Sequence, residues 1–120
     1  MALGKIKADT LEHSTAGSVD TQYVVNGSSK AWARSGSAAI NESLNTSGFT
    51  DNGTGDYTIA FSSAFSTNTF AGTTAGLGTA ARSVNHSNSQ TTSIDLDTFV
   101  SSTGSRTDTA TGFQINGDLA

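Results

Sequence analysis

The sequence predicts an all-β fold: an antiparallel β-sandwich of jelly-roll-like type with an extended N-terminal arm. Three observations predict it. Short stretches of alternating apolar and polar residues are separated by Asn-, Asp- and Gly-containing turn signals every roughly ten residues. No segment carries a convincing 3.6-residue apolar period, and Ser and Thr supply nearly a third of the chain, a composition that disfavours helix. Residues 1–20 differ from the rest, with Ile6, Leu11 and Val19 as isolated apolar points among small and polar residues. That division places an arm over 1–20 and a single sandwich domain over 21–120.

Within the arm, Lys5-Ile6-Lys7-Ala8-Asp9 suits a short strand. The arm reads either as a flexible tail or as an extended segment that docks on a neighbour. From Thr21 the pattern is β. Tyr23, Val24 and Val25 run into Asn26-Gly27, a tight-turn dipeptide. Lys30 to Arg34 alternates, with small residues on one face and Trp32 on the other. Asn41 to Thr50 holds Leu44 and Phe49 and suits a strand interrupted at Gly48.

The clearest hairpin joins Phe49-Thr50 through Asp51-Asn52-Gly53-Thr54-Gly55 to a strand from Asp56 to Phe61. There Tyr57, Ile59 and Phe61 share one face, and Thr58, Ala60 and Ser62 the other. Phe65 and Phe70 flank a polar loop. Ala71 to Ala80 is a poorly packed strand or a loop, and residues 85–90 are turn-like. Ser93 to Ser101 alternates again, placing Ile94, Leu96 and Val100 opposite Asp95, Asp97 and Phe99. Residues 102–105 break the strand, and Phe113-Gln114-Ile115 forms the last one.

The core these strands can build is thin. Leu, Ile, Val and Phe total 22 of 120 residues, about 18%, against the roughly 20% below which chains with high net charge stay disordered. The formal charge is only −4, so the chain folds. Small domains with weak cores are rescued by disulfides, metals or oligomerisation, and the absence of Cys closes the first route. Self-association is therefore expected. The six Lys and Arg residues are scattered, which argues against a nucleic-acid groove. No apolar run is long enough to insert in a membrane, and the opening Met-Ala-Leu-Gly-Lys-Ile-Lys lacks the apolar stretch of a signal peptide.

No enzyme is expected. His13 and His86 are the only candidate bases for a Ser-His-Asp triad, and each lies in a polar, turn-like stretch that would not fix an imidazole. Asp95 and Asp97 lie two apart on one strand face and suit paired carboxylates, a cation site or simply a solvated sheet face. The Asp51–Asp56 segment faintly resembles a calcium loop but lacks the closing Glu, and a hairpin turn explains it. Gly53-Thr54-Gly55 and Gly76-Leu77-Gly78 open no helix, so phosphate binding is unsupported. No catalytic, cofactor-binding or metal-binding residue is assigned. Trp32, Tyr57, Ile59 and Phe61 are assigned as core or subunit-interface anchors, because aromatic and aliphatic area is scarce. Trp32 also suits a sugar-stacking platform.

Several stretches together resemble a family. Val25-Asn26-Gly27-Ser28-Ser29-Lys30-Ala31-Trp32-Ala33 is similar to the "NGxxKAWxxF" segment of fibre-type structural proteins of tailed bacteriophages, many of them marine. Ile40 to Asn45, followed by Phe49 to Phe61, resembles their "SFNVSSxTDNGTGDYTVxF". Ile94 to Ala110 resembles their closing strand and aspartate-containing loop, and Lys5 to Leu11 resembles the "LKVDTI" start of phage appendage proteins. Ser35 stands where an apolar residue is usual, and Leu44 where an aromatic is common.

The resemblance implies a non-enzymatic virion protein, self-associating as a trimer, that serves as a capsid decoration or cement protein or a short fibre component. Its partners would be its own copies and the major capsid protein or tail proteins, with the arm attaching to the particle. The alternative is a tail-fibre tip or saccharide-binding module that recognises the host surface. No residue role carries over, because the shared positions are turn and core positions.

Overall fold

Tyr57, Ile59 and Phe61 alternate inward along one strand, and this alternation organises the molecule. The computed structural model describes Gly4, residues 6–78 and residues 81–120. Its elements are β1 (Thr10–His13), β2 (Gly17–Asp20), α1 (Thr21–Gly27), β3 (Ser29–Ser35), β4 (Ile40–Leu44), β5 (Thr46–Gly53), β6 (Asp56–Phe61), β7 (Ala71–Gly76), β8 (Arg82–Ser87), β9 (Ser93–Val100) and β10 (Thr111–Asn116). Two four-stranded antiparallel sheets, β4-β3-β10-β7 and β5-β6-β9-β8, pack face to face. This is the all-β sandwich the alternation predicts. Strand β10 returns beside β7, giving β10-β7-β8-β9 a Greek-key order spread over both sheets.

The two inner faces are unequal. The β5-β6-β9-β8 sheet supplies Tyr57, Ile59, Phe61, Ile94 and Leu96, while the opposite sheet supplies Ala31, Ala33, Phe113 and Ile115. Small residues on β3 make room for large ones across the gap, so the core is filled with few aliphatic side chains. Its third inward position on β9 is Thr98, whose hydroxyl donates to the Thr107 carbonyl. Ser35 and Thr111 are register partners, and their buried hydroxyls pair at 2.7 Å. The polar groups at this edge of the core are thereby satisfied.

Each end of the sandwich is closed by a loop. At one end Phe65 meets Phe61 and Phe70 at ring-centre separations of 5.0 and 4.8 Å. Backbone bonds from Phe65 N to Thr91 O and from Ser66 N to Asp118 O, both 2.8 Å, hold that loop and the C-terminal residues together. At the other end the segment after β9 folds back over the β5–β6 turn. Thr98 N donates to Gly55 O at 2.9 Å, Thr107 N to Thr98 O at 3.0 Å, and Gly55 N to the Asp108 carboxylate at 2.7 Å.

Several local expectations are corrected. Tyr23-Val24-Val25 is not a strand but the middle of α1, and Asn26-Gly27 ends that helix instead of turning a hairpin. Three consecutive apolar residues carry no period, so their sequence cannot choose between the two. Thr21 fixes the helix start by donating to the carbonyls of Ala8 and Asp9, bonds invisible in sequence. The break between Leu44 and Phe49 falls at Asn45, and the irregularity before Gly48 is a register shift between Thr46 and Gly48 inside β5. Asn45 adopts φ 55° and clamps Ser63 through both side-chain atoms, so the chain crosses from one sheet to the other there. Residues 85–87 of the turn-like stretch belong to strand β8 (Arg82–Ser87), and the turn begins at Asn88 (φ 43°). The stretch 71–80, open to strand or loop from sequence, is a strand over Ala71–Gly76, and residues 79 and 80 lie outside the described residues. Of the proposed strand over 5–9, residues 6–8 have no regular structure and Lys5 lies outside the described residues.

Residues 10–20 are folded back on themselves. β1 and β2 pair antiparallel, with Leu11 opposite Val19. Gly17 (φ 93°) and His13, whose Nδ1 accepts from Thr15 N and Ala16 N at 3.3 and 3.1 Å, shape the turn. This hairpin and α1 stand apart from the sandwich, joined at a hinge where Asn116 Nδ2 donates to Gly27 O at 2.5 Å and Lys30 Nζ to Ser28 Oγ at 2.6 Å. The molecule is accordingly long. Its radius of gyration is 17.0 Å and its extents are 51 × 34 × 26 Å, against a radius of about 13.6 Å for a compact chain of this length.

Candidate functional site

The residues assigned from sequence fall into three places. Tyr57, Ile59 and Phe61 are buried in the core. Trp32 is not. It points away from the core from the centre of β3, is 36% exposed, and lies in register with Leu44 (47% exposed) on β4 and Gln114 on β10. The alternation of β3 requires this, since Ala31 and Ala33 face inward. Trp32 is therefore a surface residue and does not anchor the core. Arg34 and Glu42, register partners two residues along, lie on the same outer face beside it.

Ile6, Leu11 and Val19 are all exposed, Ile6 at 95%. Sequence analysis missed the residues that complete their surface, Val24 and Val25 on α1, exposed at 44 and 56%; Tyr23 on the same helix is exposed at 64%. Ile6, Leu11, Val24 and Val25 line one open depression of about 540 Å³, with Lys7 and Asp9 also at its wall. A second depression continues along Leu11 and Val19. The available signal was the Tyr-Val-Val run, which reads as buried strand only if a sheet receives it.

The carboxylates of Asp51, Asp56, Asp95, Asp97 and Asp108 are occupied by structural bonds. Asp108 accepts from Gly55 N at 2.7 Å and from the Tyr57 hydroxyl at 3.1 Å. Asp95 accepts from Thr58 Oγ1 at 2.7 Å and Asn88 Nδ2 at 2.8 Å. Asp97 accepts from Ser87 Oγ at 2.8 Å. Arg106 joins Asp97 and its register partner Asp56 at 2.6 and 3.0 Å, with its guanidinium 5.7 Å from the Phe99 ring centre. Asp51 caps Gly53 N at 2.9 Å in its own turn. Among the described residues no group of three or more His, Asp or Glu side chains is placed to hold a metal ion. His13 serves its hairpin turn, and His86 lies on the edge strand β8.

Two consequences are measurable. The Arg106 pairs are partly exposed, so Arg106→Ala is expected to cost about 1 kcal/mol or less, and less still in high salt, as read by urea denaturation. Burial, then the hydrogen bond to Asp108 and its negative charge, push the Tyr57 hydroxyl up to about 12 from its ordinary 10.0. The folded chain thus holds this proton more tightly than the unfolded chain. The associated stability is fully present below about pH 10 and is lost as pH rises toward about 12, an effect on the order of 2–3 kcal/mol. Tyr57→Phe is expected to flatten the stability profile across that window in denaturation series at stepped pH.

No protein-family model, curated protein or solved structure matches the chain.

Proposed function

We propose that this chain is a non-enzymatic structural protein of a tailed-bacteriophage particle. It self-associates, as a trimer, on the particle surface as a capsid decoration or short fibre component. One observation carries this reading. The chain is poor in apolar residues, yet it leaves a set of them exposed on a hairpin and helix held outside the sandwich. A free monomer gains nothing from that arrangement, whereas an assembly that covers the surface recovers roughly 25 cal/mol per Å². The resemblance of Val25–Ala33 and Phe49–Phe61 to fibre-type virion proteins names the assembly.

The second reading, a fibre tip or module that binds host saccharide, is favoured by Trp32. Its ring lies on an open sheet face beside Gln114, Arg34 and Glu42, a set that suits stacking and hydrogen bonding to a sugar. Immuno-electron microscopy of particles that encode this chain separates the two, using an antibody to the sandwich. Labelling over the capsid or along short fibres is expected. Labelling only at tail tips, with saturable binding of the purified chain to host cells, favours the second reading. Intact particles free of label overturn both.

A further inference from the structure

The exposed hairpin–helix is too small to persist uncovered. Two four-residue strands form a hairpin that is marginal alone, and the seven residues of α1 are half the length an isolated helix needs. The apolar side chains gather on one side. Leu11 and Val19 are directly opposed, while Thr10, Glu12, Ser18 and Asp20 alternate to the other face. The accessible surface of the chain is 7373 Å², against roughly 6,100 Å² for a compact monomer of this mass. That excess of roughly 1,300 Å² is what a chain with a protruding, uncovered segment shows.

We propose that the occupant of this face is a second copy of the same chain, so that residues 6–27 form the self-association interface. The proposal rests on the self-association reading above and names its surface, where the sequence suggested attachment to the particle. The charge pattern selects a copy over an unrelated partner. Among the described residues, Lys7 and Asp9 are the charged side chains that line the Leu11–Val24 depression, one of each sign, so this stretch is complementary to itself. Glu12 and Asp20 lie on the far side of the hairpin, so they point away from the shared axis when three copies turn their apolar faces toward it.

The natural chain has no Cys, so a single introduced thiol reports proximity without background. Full-length Leu11→Cys is expected to form a disulfide-linked dimer on mild oxidation, while Ser83→Cys, on the outer face of the other sheet, stays unlinked. The Leu11→Asp/Val24→Asp double variant is expected to sediment as a monomer with an unchanged β-sheet circular dichroism spectrum, because the sandwich core lies elsewhere. Lys7→Asp is expected to weaken association about tenfold, and adding Asp9→Lys to restore it. If the wild-type chain is oligomeric but the double variant remains so, the interface assignment fails and the self-association reading stands. If the wild-type chain is monomeric, both fail. A module that gains protease protection only on addition of a capsid or tail protein assigns the face to that partner and overturns the proposal.

Discussion

Gly55→Ala is expected to destabilise the sandwich by about 3 kcal/mol or more, a large share of what a domain this size possesses. Two terms combine. Gly55 adopts φ +67°, which costs a residue with a Cβ roughly 1 kcal/mol. A Cβ there would also lie 2.6 Å from Thr98 O, 2.8 Å from Thr107 N and 3.0 Å from Thr107 O. All three are backbone atoms, so relief requires moving β9 and the loop that crosses the turn, and overpacking of this kind costs about 1–3 kcal/mol. Gly104 provides the control: its φ is +69°, and a Cβ there meets nothing within 4 Å. Gly104→Ala is expected to show the conformational term alone, about 1 kcal/mol. Urea denaturation of the two variants measures the difference. Equal losses at both glycines would show that the close approach at Gly55 is relieved without cost.

Phe65→Ala is expected to cost about 3–5 kcal/mol. The side chain is 1% exposed and belongs to a core with few large members. Its ring joins Phe61 and Phe70, and Gly117 packs so closely that a Cβ there would lie 3.0 Å from the Phe65 ring. Nothing nearby can collapse into the space, because this loop is fixed to Thr91 and Asp118 by its backbone. Trp32→Ala removes a larger ring from the outer face and is expected to cost less than about 1 kcal/mol in dilute monomer. Chemical denaturation of both variants checks the order; a larger loss at Trp32 would place that ring in a core after all.

The two glycines and the Phe cluster also show what the sequence could reveal. The alternation in β6 and β9 was strong enough to identify both strands and their inward faces, because each carries two or three large apolar residues at period 2. The Asp51–Asp56 turn was legible from its Asn and Gly. Why Gly55 in particular must be glycine was not, since the atoms that exclude a Cβ belong to Thr98 and Thr107, far along the chain. Nothing in the sequence marks Asp108, although it ties the Gly55 amide to the Tyr57 hydroxyl. Strand β8 was obscured because Arg82–Ser87 is an edge strand with one large aliphatic residue, so its pattern is set by neighbours and not by burial. Helix α1 was obscured for a related reason. Its start depends on bonds from Thr21 to residues before β1, and its apolar residues face outward, where helical periodicity has no core to follow.

Trp32 shows the same limit from the other side. Scarcity of apolar area suggested that the largest ring anchors the core or a subunit interface, and the small residues on either side of it, not the ring, take the inward positions. The exposed ring, like the exposed hairpin–helix, makes physical sense for a chain that completes its burial in an assembly.

Sedimentation equilibrium of the intact chain over a range of concentrations tests this most directly. Self-association predicts a mass that rises with concentration to three times the 12.2 kDa of one chain. A mass that stays at 12.2 kDa throughout, in a chain that remains folded, would contradict it.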